Sequence, residues 1–235
     1  MNDAGNTKNA SGRIIVALDY PEAAPALDLV RNLSGEVSLF KIGLQLYTAA
    51  GPELVRAVLQ TGAQVFLDLK LHDIPNTVAK TVGAASELGI AMLTIHLSGG
   101  RMMIEAAVKE CPPDLLLLGV TVLTSSDDET LRETGVEAGV DEHAIRLAIL
   151  GAKAGIRGLI SSPHEVRILR NRVREKMIII TPGVRPSWSG ADDQKRFMTP
   201  RDAVENGADY LVIGRPITAD PKPREAVQRI VRELA

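Results

Sequence analysis

The chain has 235 residues, 45% of them hydrophobic and 24% charged, which excludes a disordered polymer, a fibre and a coiled coil. Twenty-seven Lys and Arg stand against 29 Asp and Glu, a net charge of −2, so the basic excess of a general nucleic-acid binder is missing. Cys111 is the lone cysteine, no intrachain disulfide can form, and no signal peptide or membrane-length apolar run is visible, all of which favours a reducing, cytoplasmic setting without membrane contact.

Residues 1–12, MNDAGNTKNASG, lack apolar side chains able to pack and read as a flexible polar tail. From residue 13 onward, short β-rich runs alternate with helix-compatible stretches. The runs are IIVALD (14–19), LFKIGL (39–44), VFLDLKL (65–71), MLTIHL (92–97), LLLLGVTVL (115–123), GLISS (158–162), MIIITPG (177–183) and YLVIG (210–214). Segments such as 52–62 and 200–209 place apolar residues at helical spacing between them. Near-continuous apolar strands indicate burial on both faces, as in a parallel sheet. Eight strand–helix alternations predict a single-domain (β/α)8 barrel over 13–235. A doubly wound open sheet is the alternative that counting leaves open. The phrase "Gly, small or β-branched residue, strand" recurs at Gly62, Gly89, Gly155 and Gly207 and suits a repeated unit. The longest connector, 124–143, is expected to add a short helix over the barrel mouth.

In such a barrel the chemistry gathers at the C-terminal ends of the strands, and here those ends are polar. Strand 1 ends in Asp19, strand 2 holds Lys41, and strand 3 carries Asp68 and Lys70 within an apolar run, with Asp73 just beyond. On a regular strand Asp68 and Lys70 point the same way, roughly 7 Å apart. Desolvating several such charges is costly unless they are paired or used, so an alternating charge array reads as a site. The strand 7 end supplies Gly183 and Arg185 and the strand 8 end Gly214 and Arg215. Glycines allowing close approach, together with guanidinium groups, suit a phosphate. The loop 183–198 has the composition of a lid. Neither G-x-G-x-x-G nor a Walker loop occurs, no metal-ligand cluster stands out, and His164-Glu165 lacks the second histidine of a zinc helix. His143 and His164 are expected to face solvent, and His96 to be a satisfied barrel histidine rather than a site residue.

The segment FLDLKLHDIPNTV (66–78), with Asp68, Lys70 and Asp73 as D-x-K-x-x-D, resembles the signature of the orotidine 5′-phosphate decarboxylase family. VALD (16–19), FKIG (40–43), TVLTS (121–125), TPGVRP (181–186) and IGRPI (213–217) resemble the same family in the same order, covering about residues 13–232. The resemblance implies a homodimer of barrels and decarboxylation of orotidine 5′-phosphate to UMP without metal or organic cofactor. It implies Lys70 as the proton donor to C6, Asp68 beside the substrate carboxylate, and Lys41 holding the array and contacting the ribose. Asp73 and Thr77 would reach the partner's site. Asp19 would bind a ribose hydroxyl, Thr124 would lie near the pyrimidine, and Arg185, Gln194, Gly214 and Arg215 would hold the phosphate and close the lid. Two alternatives stand beside it. One is a metal-dependent relative such as 3-keto-L-gulonate 6-phosphate decarboxylase or hexulose-6-phosphate synthase, which places a Glu ligand where this chain has Lys41. The other is a non-catalytic phosphosugar- or nucleotide-binding barrel.

Overall fold

The computed structural model describes residues 10–189 and 198–234. Among them, eight parallel strands follow one another around a closed barrel: β1 (Ile14–Ala17), β2 (Leu39–Gly43), β3 (Gln64–Leu71), β4 (Met92–His96), β5 (Leu116–Val120), β6 (Gly158–Ile160), β7 (Ile178–Thr181) and β8 (Tyr210–Ile213). Pairing of Ile15 with Val212 closes β8 onto β1 and decides against the open sheet. The helices on the outside are α1 (Ala23–Asn32), α2 (Leu44–Gln60), α3 (Pro75–Ser86), α4 (Gly100–Glu110), α5 (Asp128–Glu133), α6 (Val140–Lys153), α7 (Val166–Arg172), α8 (Pro200–Glu205), α9 (Arg215–Thr218) and α10 (Pro223–Leu234). Of the expected tail, 1–9 lie outside the described residues, while Ala10–Arg13 forms a 3-10 turn. Arg13 donates from Nη1 to the carbonyls of Ala208 and Asp209.

Strand parity divides the core in two. Ile14, Val16, Phe40, Ile42, Val65, Leu67, Leu93 and Ile95 face outward and pack under the helices. Ile15, Ala17, Leu39, Phe66, Met92, Leu118, Val120, Ile160, Ile180 and Val212 point inward and fill the barrel. Both faces are therefore apolar, which is why the strands read as unbroken hydrophobic runs. Because side chains alternate with period two, the parity that buries Leu39 and Phe66 carries Lys41 and Asp68 one layer higher into the mouth. Charges appear in these strands only where the interior opens.

The recurring glycine phrase has a conformational cause. Gly155 and Gly207 close α6 and α8 with φ of 95° and 108°, a region costly for side-chain-bearing residues. The following N–H groups, those of Ile156 and Ala208, then donate back to Gly151 and Ala203. α2 is longer than the expected 52–62 segment, because a turn from Leu44 joins it across a kink at Gly51 and Pro52. The connector after β5 holds the expected short helix, α5, whose first turn is capped by Asp127 accepting from the Thr130 N–H at 2.9 Å. No described helix is long and apolar enough to cross a membrane.

Candidate active site

A cavity of about 300 Å³ opens at the C-terminal end of the barrel, the size of a small-molecule site. Its lining includes Asp19, Lys41, Asp68 and Lys70 from the ends of β1 to β3, Thr124 after β5, and Arg185, Gly214 and Arg215 after β7 and β8. Ala17, Phe66, Val120, Ile160 and Val212 form its apolar floor, the top of the barrel plug.

The charges form a row. Lys41 Nζ lies 3.2 Å from Asp19 Oδ1 and 3.8 Å from Asp68 Oδ2, and Lys70 Nζ donates to Asp68 Oδ1 and Oδ2 at 2.9 and 2.8 Å. The Lys41 and Asp68 side chains are each only 12% exposed, against 35% for Lys70 and 63% for Asp19. The two inner members have thus lost most of their water, and mutual pairing offsets that loss. An ammonium held in this way has little freedom to reorganise when charge develops beside it.

The local backbone differs from the regular strand expected of β3. Leu67 pairs with Leu93 of β4, yet the next pair is Leu71 with Ile95, so four steps along β3 answer two along β4. The bulge carries Asp68, Leu69 and Lys70. Lys70 takes a φ of 51°, the sole positive value among described non-glycine residues, which costs on the order of 1–2 kcal/mol. Within this bulge the Lys70 ammonium reaches both oxygens of Asp68. Immediately downstream, Asp73 Oδ1 accepts from the Ile74 N–H at 2.6 Å, and Pro75 opens α3 at its first turn. Asp73 and Thr77 are exposed and lie outside this chain's own cavity.

After β7 the two ends of the 183–198 loop are tied together. The Arg185 N–H donates to the Met198 carbonyl at 2.9 Å, and the Met198 N–H to the Gly183 carbonyl. Arg185 is only 3% exposed and lines the cavity. Gly214 follows β8 and precedes α9, whose Ile217 and Thr218 N–H groups donate back to its carbonyl. A Cβ at Gly214 would lie 3.4 Å from Asp19 Oδ2, so the two residues are neighbours on the rim. Gln194 lies outside the described residues. Trp188, in the loop stem, stacks on Arg229 with the guanidinium carbon 3.8 Å from the ring centroid, which ties the stem to α10.

The histidines divide differently from expectation. His164 is exposed as expected, but His143 is half-buried: burial, followed by the nearby Arg146 charge, lowers its imidazole pKa. His96 ends β4 beside His72, ring centroids 5.6 Å apart, and does not line the cavity. Burial, then the His72 and Lys70 charges, lower its pKa, with Asp68 opposing them. Glu165 is buried and accepts from the Ser161 hydroxyl at 2.7 Å. Sequence reasoning missed Thr94. This fully buried residue donates its hydroxyl to Asp68 and accepts from the Lys70 N–H. A threonine in an apolar strand looks like an ordinary β former, so its partners are invisible without the fold.

Comparison with known proteins identifies a family. Residues 12–230 match the family described as Orotidine 5′-phosphate decarboxylase / HUMPS family. The chain is 48% identical over 236 residues to the orotidine 5′-phosphate decarboxylase of Syntrophotalea carbinolica, covering 96% of each chain. It is 49% identical over 224 residues to that of Opitutus terrae, covering 94% of this chain and 97% of the relative. Among solved structures it resembles the orotidine 5′-phosphate decarboxylase of Lactobacillus acidophilus, with a TM-score of 0.84 and 34% identity over 95% of this chain and 99% of that one.

Proposed function

The chain belongs to the orotidine 5′-phosphate decarboxylase / HUMPS family, and from that membership we infer that it converts orotidine 5′-phosphate into UMP and CO2 in pyrimidine biosynthesis, in the cytoplasm. The observation that carries the reading is the row Asp19–Lys41–Asp68–Lys70 in one cavity with Arg185, Gly214 and Arg215. A substrate with a reactive carboxylate at one end and a phosphate at the other matches that set of groups.

The C6–carboxylate bond breaks with its electron pair remaining on C6, in an sp² orbital that the ring cannot readily delocalise. CO2 departs, and Lys70 Nζ transfers a proton to C6, to be reprotonated from solvent. An ammonium prepositioned by Asp68 stabilises the developing carbanion before it donates. Asp68 faces the leaving carboxylate, so its repulsion is relieved as CO2 forms. Lys41, flanked by Asp19 and Asp68, keeps the two carboxylates compatible in a shared desolvated space and contacts the ribose; Asp19 accepts from a ribose hydroxyl and Thr124 borders the pyrimidine. Arg185, Gln194, Gly214 and Arg215 take the phosphate, whose binding energy is used to close the 183–198 loop. Lys41 also bears on the alternatives. Its ammonium fills the space between the carboxylates where a divalent cation would sit, which supports chemistry without a metal.

The homodimer belongs to the same reading. Leu44, Ile74 and Met102, after the adjacent strands β2, β3 and β4, are large apolar side chains left exposed. They share that sector of the rim with Asp73 and Thr77. A second copy covering them would bring Asp73 and Thr77 to its own cavity.

The test is an assay of orotidine 5′-phosphate absorbance loss with excess EDTA. Equal turnover with and without chelator is the expected result. Loss in EDTA with recovery on adding Mg²⁺ would point to the metal-dependent relatives, and UMP binding without CO2 release to a binding barrel. Arg215→Ala should weaken UMP and raise KM by the loss of one charge-assisted contact, about 1.5–3 kcal/mol. The nucleoside orotidine, which lacks the phosphate, should bind both proteins alike; unchanged UMP affinity would remove Arg215 from the phosphate site.

A further inference from the structure

The geometry points to Thr94 as a positioning residue for the catalytic pair, and this inference rests on the decarboxylase reading above. Thr94 lies on β4 opposite the β3 bulge, with the inward parity of Met92. It is fully buried and does not line the cavity, so it acts on substrate only through other groups. Its hydroxyl has one proton to give and lone pairs to accept, and the fold uses both. Oγ1 accepts from the Lys70 backbone N–H at 2.8 Å and donates to Asp68 Oδ1 at 3.0 Å.

One hydroxyl therefore grips both ends of the bulge. It holds the backbone of Lys70 where φ is 51°, a conformation that persists only when its surroundings over-determine it. It also sets the rotation of the Asp68 carboxylate, whose Oδ2 faces Lys41 Nζ at 3.8 Å while both oxygens receive Lys70 Nζ. Without Thr94 Oγ1 the Lys70 N–H and Asp68 Oδ1 each lose a buried partner, and the ammonium is no longer tied to one place above C6.

Thr94→Val keeps the shape and removes the hydroxyl; Thr94→Ser keeps the hydroxyl and removes a methyl. Turnover is counted per UMP-binding site, so that unfolded protein does not enter. Thr94→Val should lower kcat about 10- to 100-fold, as for a reacting group displaced by up to an ångström, with KM and UMP affinity within about threefold. Thr94→Ser should recover most of kcat. Wild-type kcat in Thr94→Val would overturn the inference, as would kcat and UMP affinity falling together without recovery in Thr94→Ser. If Thr94→Val yields no folded protein, Thr94→Ser is compared with Thr94→Cys, whose thiol is a poorer hydrogen-bonding group. A clear kcat advantage for serine at equal KM supports the inference, and equal kcat overturns it. Wild-type enzyme is assayed alongside, and its failure to release CO2 would strike the decarboxylase reading instead.

Discussion

Lys70→Ala is expected to reduce kcat/KM for orotidine 5′-phosphate by about 10⁴- to 10⁷-fold while UMP still binds. The range combines two roles of one group. A positioned general acid contributes about 10²–10⁴, and a preorganised charge aimed at the developing anion about 10²–10³. UMP should be retained because it carries no carboxylate beside Asp68 and takes its affinity from the phosphate and ribose contacts. Lys70→Arg separates the two roles: it keeps a cation but supplies a planar fork that hardly gives up a proton, so it should recover little. Near-normal turnover in Lys70→Ala, measured by CO2 release, would remove the proposed proton donor. Loss of UMP binding to the same degree as turnover would mean that the substitution had damaged the cavity instead.

Mixing two inactive proteins should restore activity if the site is shared between subunits. Lys70→Ala lacks the proton donor; Asp73→Asn lacks the carboxylate proposed to reach the neighbouring cavity. In a heterodimer one site combines intact Lys70 with the partner's intact Asp73, and the other site carries both changes. At equal mixing and random reassociation, half of the dimers are mixed, so turnover should climb to about a quarter of the wild-type value. The check is activity of verified heterodimers against each parent alone. Mixed dimers no more active than their parents would confine the site to a single chain.

Much of this architecture was legible locally. Two-sided apolar strands, helix-closing glycines before them and eight alternations identify a barrel, because burial on both faces and positive φ leave marks within a few residues of their cause. The positions of Asp19, Lys41, Asp68, Arg185, Gly214 and Arg215 at strand ends were readable for the same reason, and all of them line one cavity. The regular geometry assumed for Asp68 and Lys70 was not what the fold adopts. They sit in a bulge whose extra residues are defined only against β4, 24 positions further along between Lys70 and Thr94. His143 illustrates the same limit on a smaller scale, since its half-burial appears only once α6 is folded against the barrel.

The chain's own pattern thus determined which residues face inward and where charge interrupts an apolar stave, since period-two alternation and the cost of desolvation act over short stretches. Only the closed barrel decided how far apart the ammonium and carboxylate tips lie, which hydroxyl steadies them, and which apolar side chains stay exposed on the rim. Those are consequences of register between strands, and register is a long-range property that no single segment encodes.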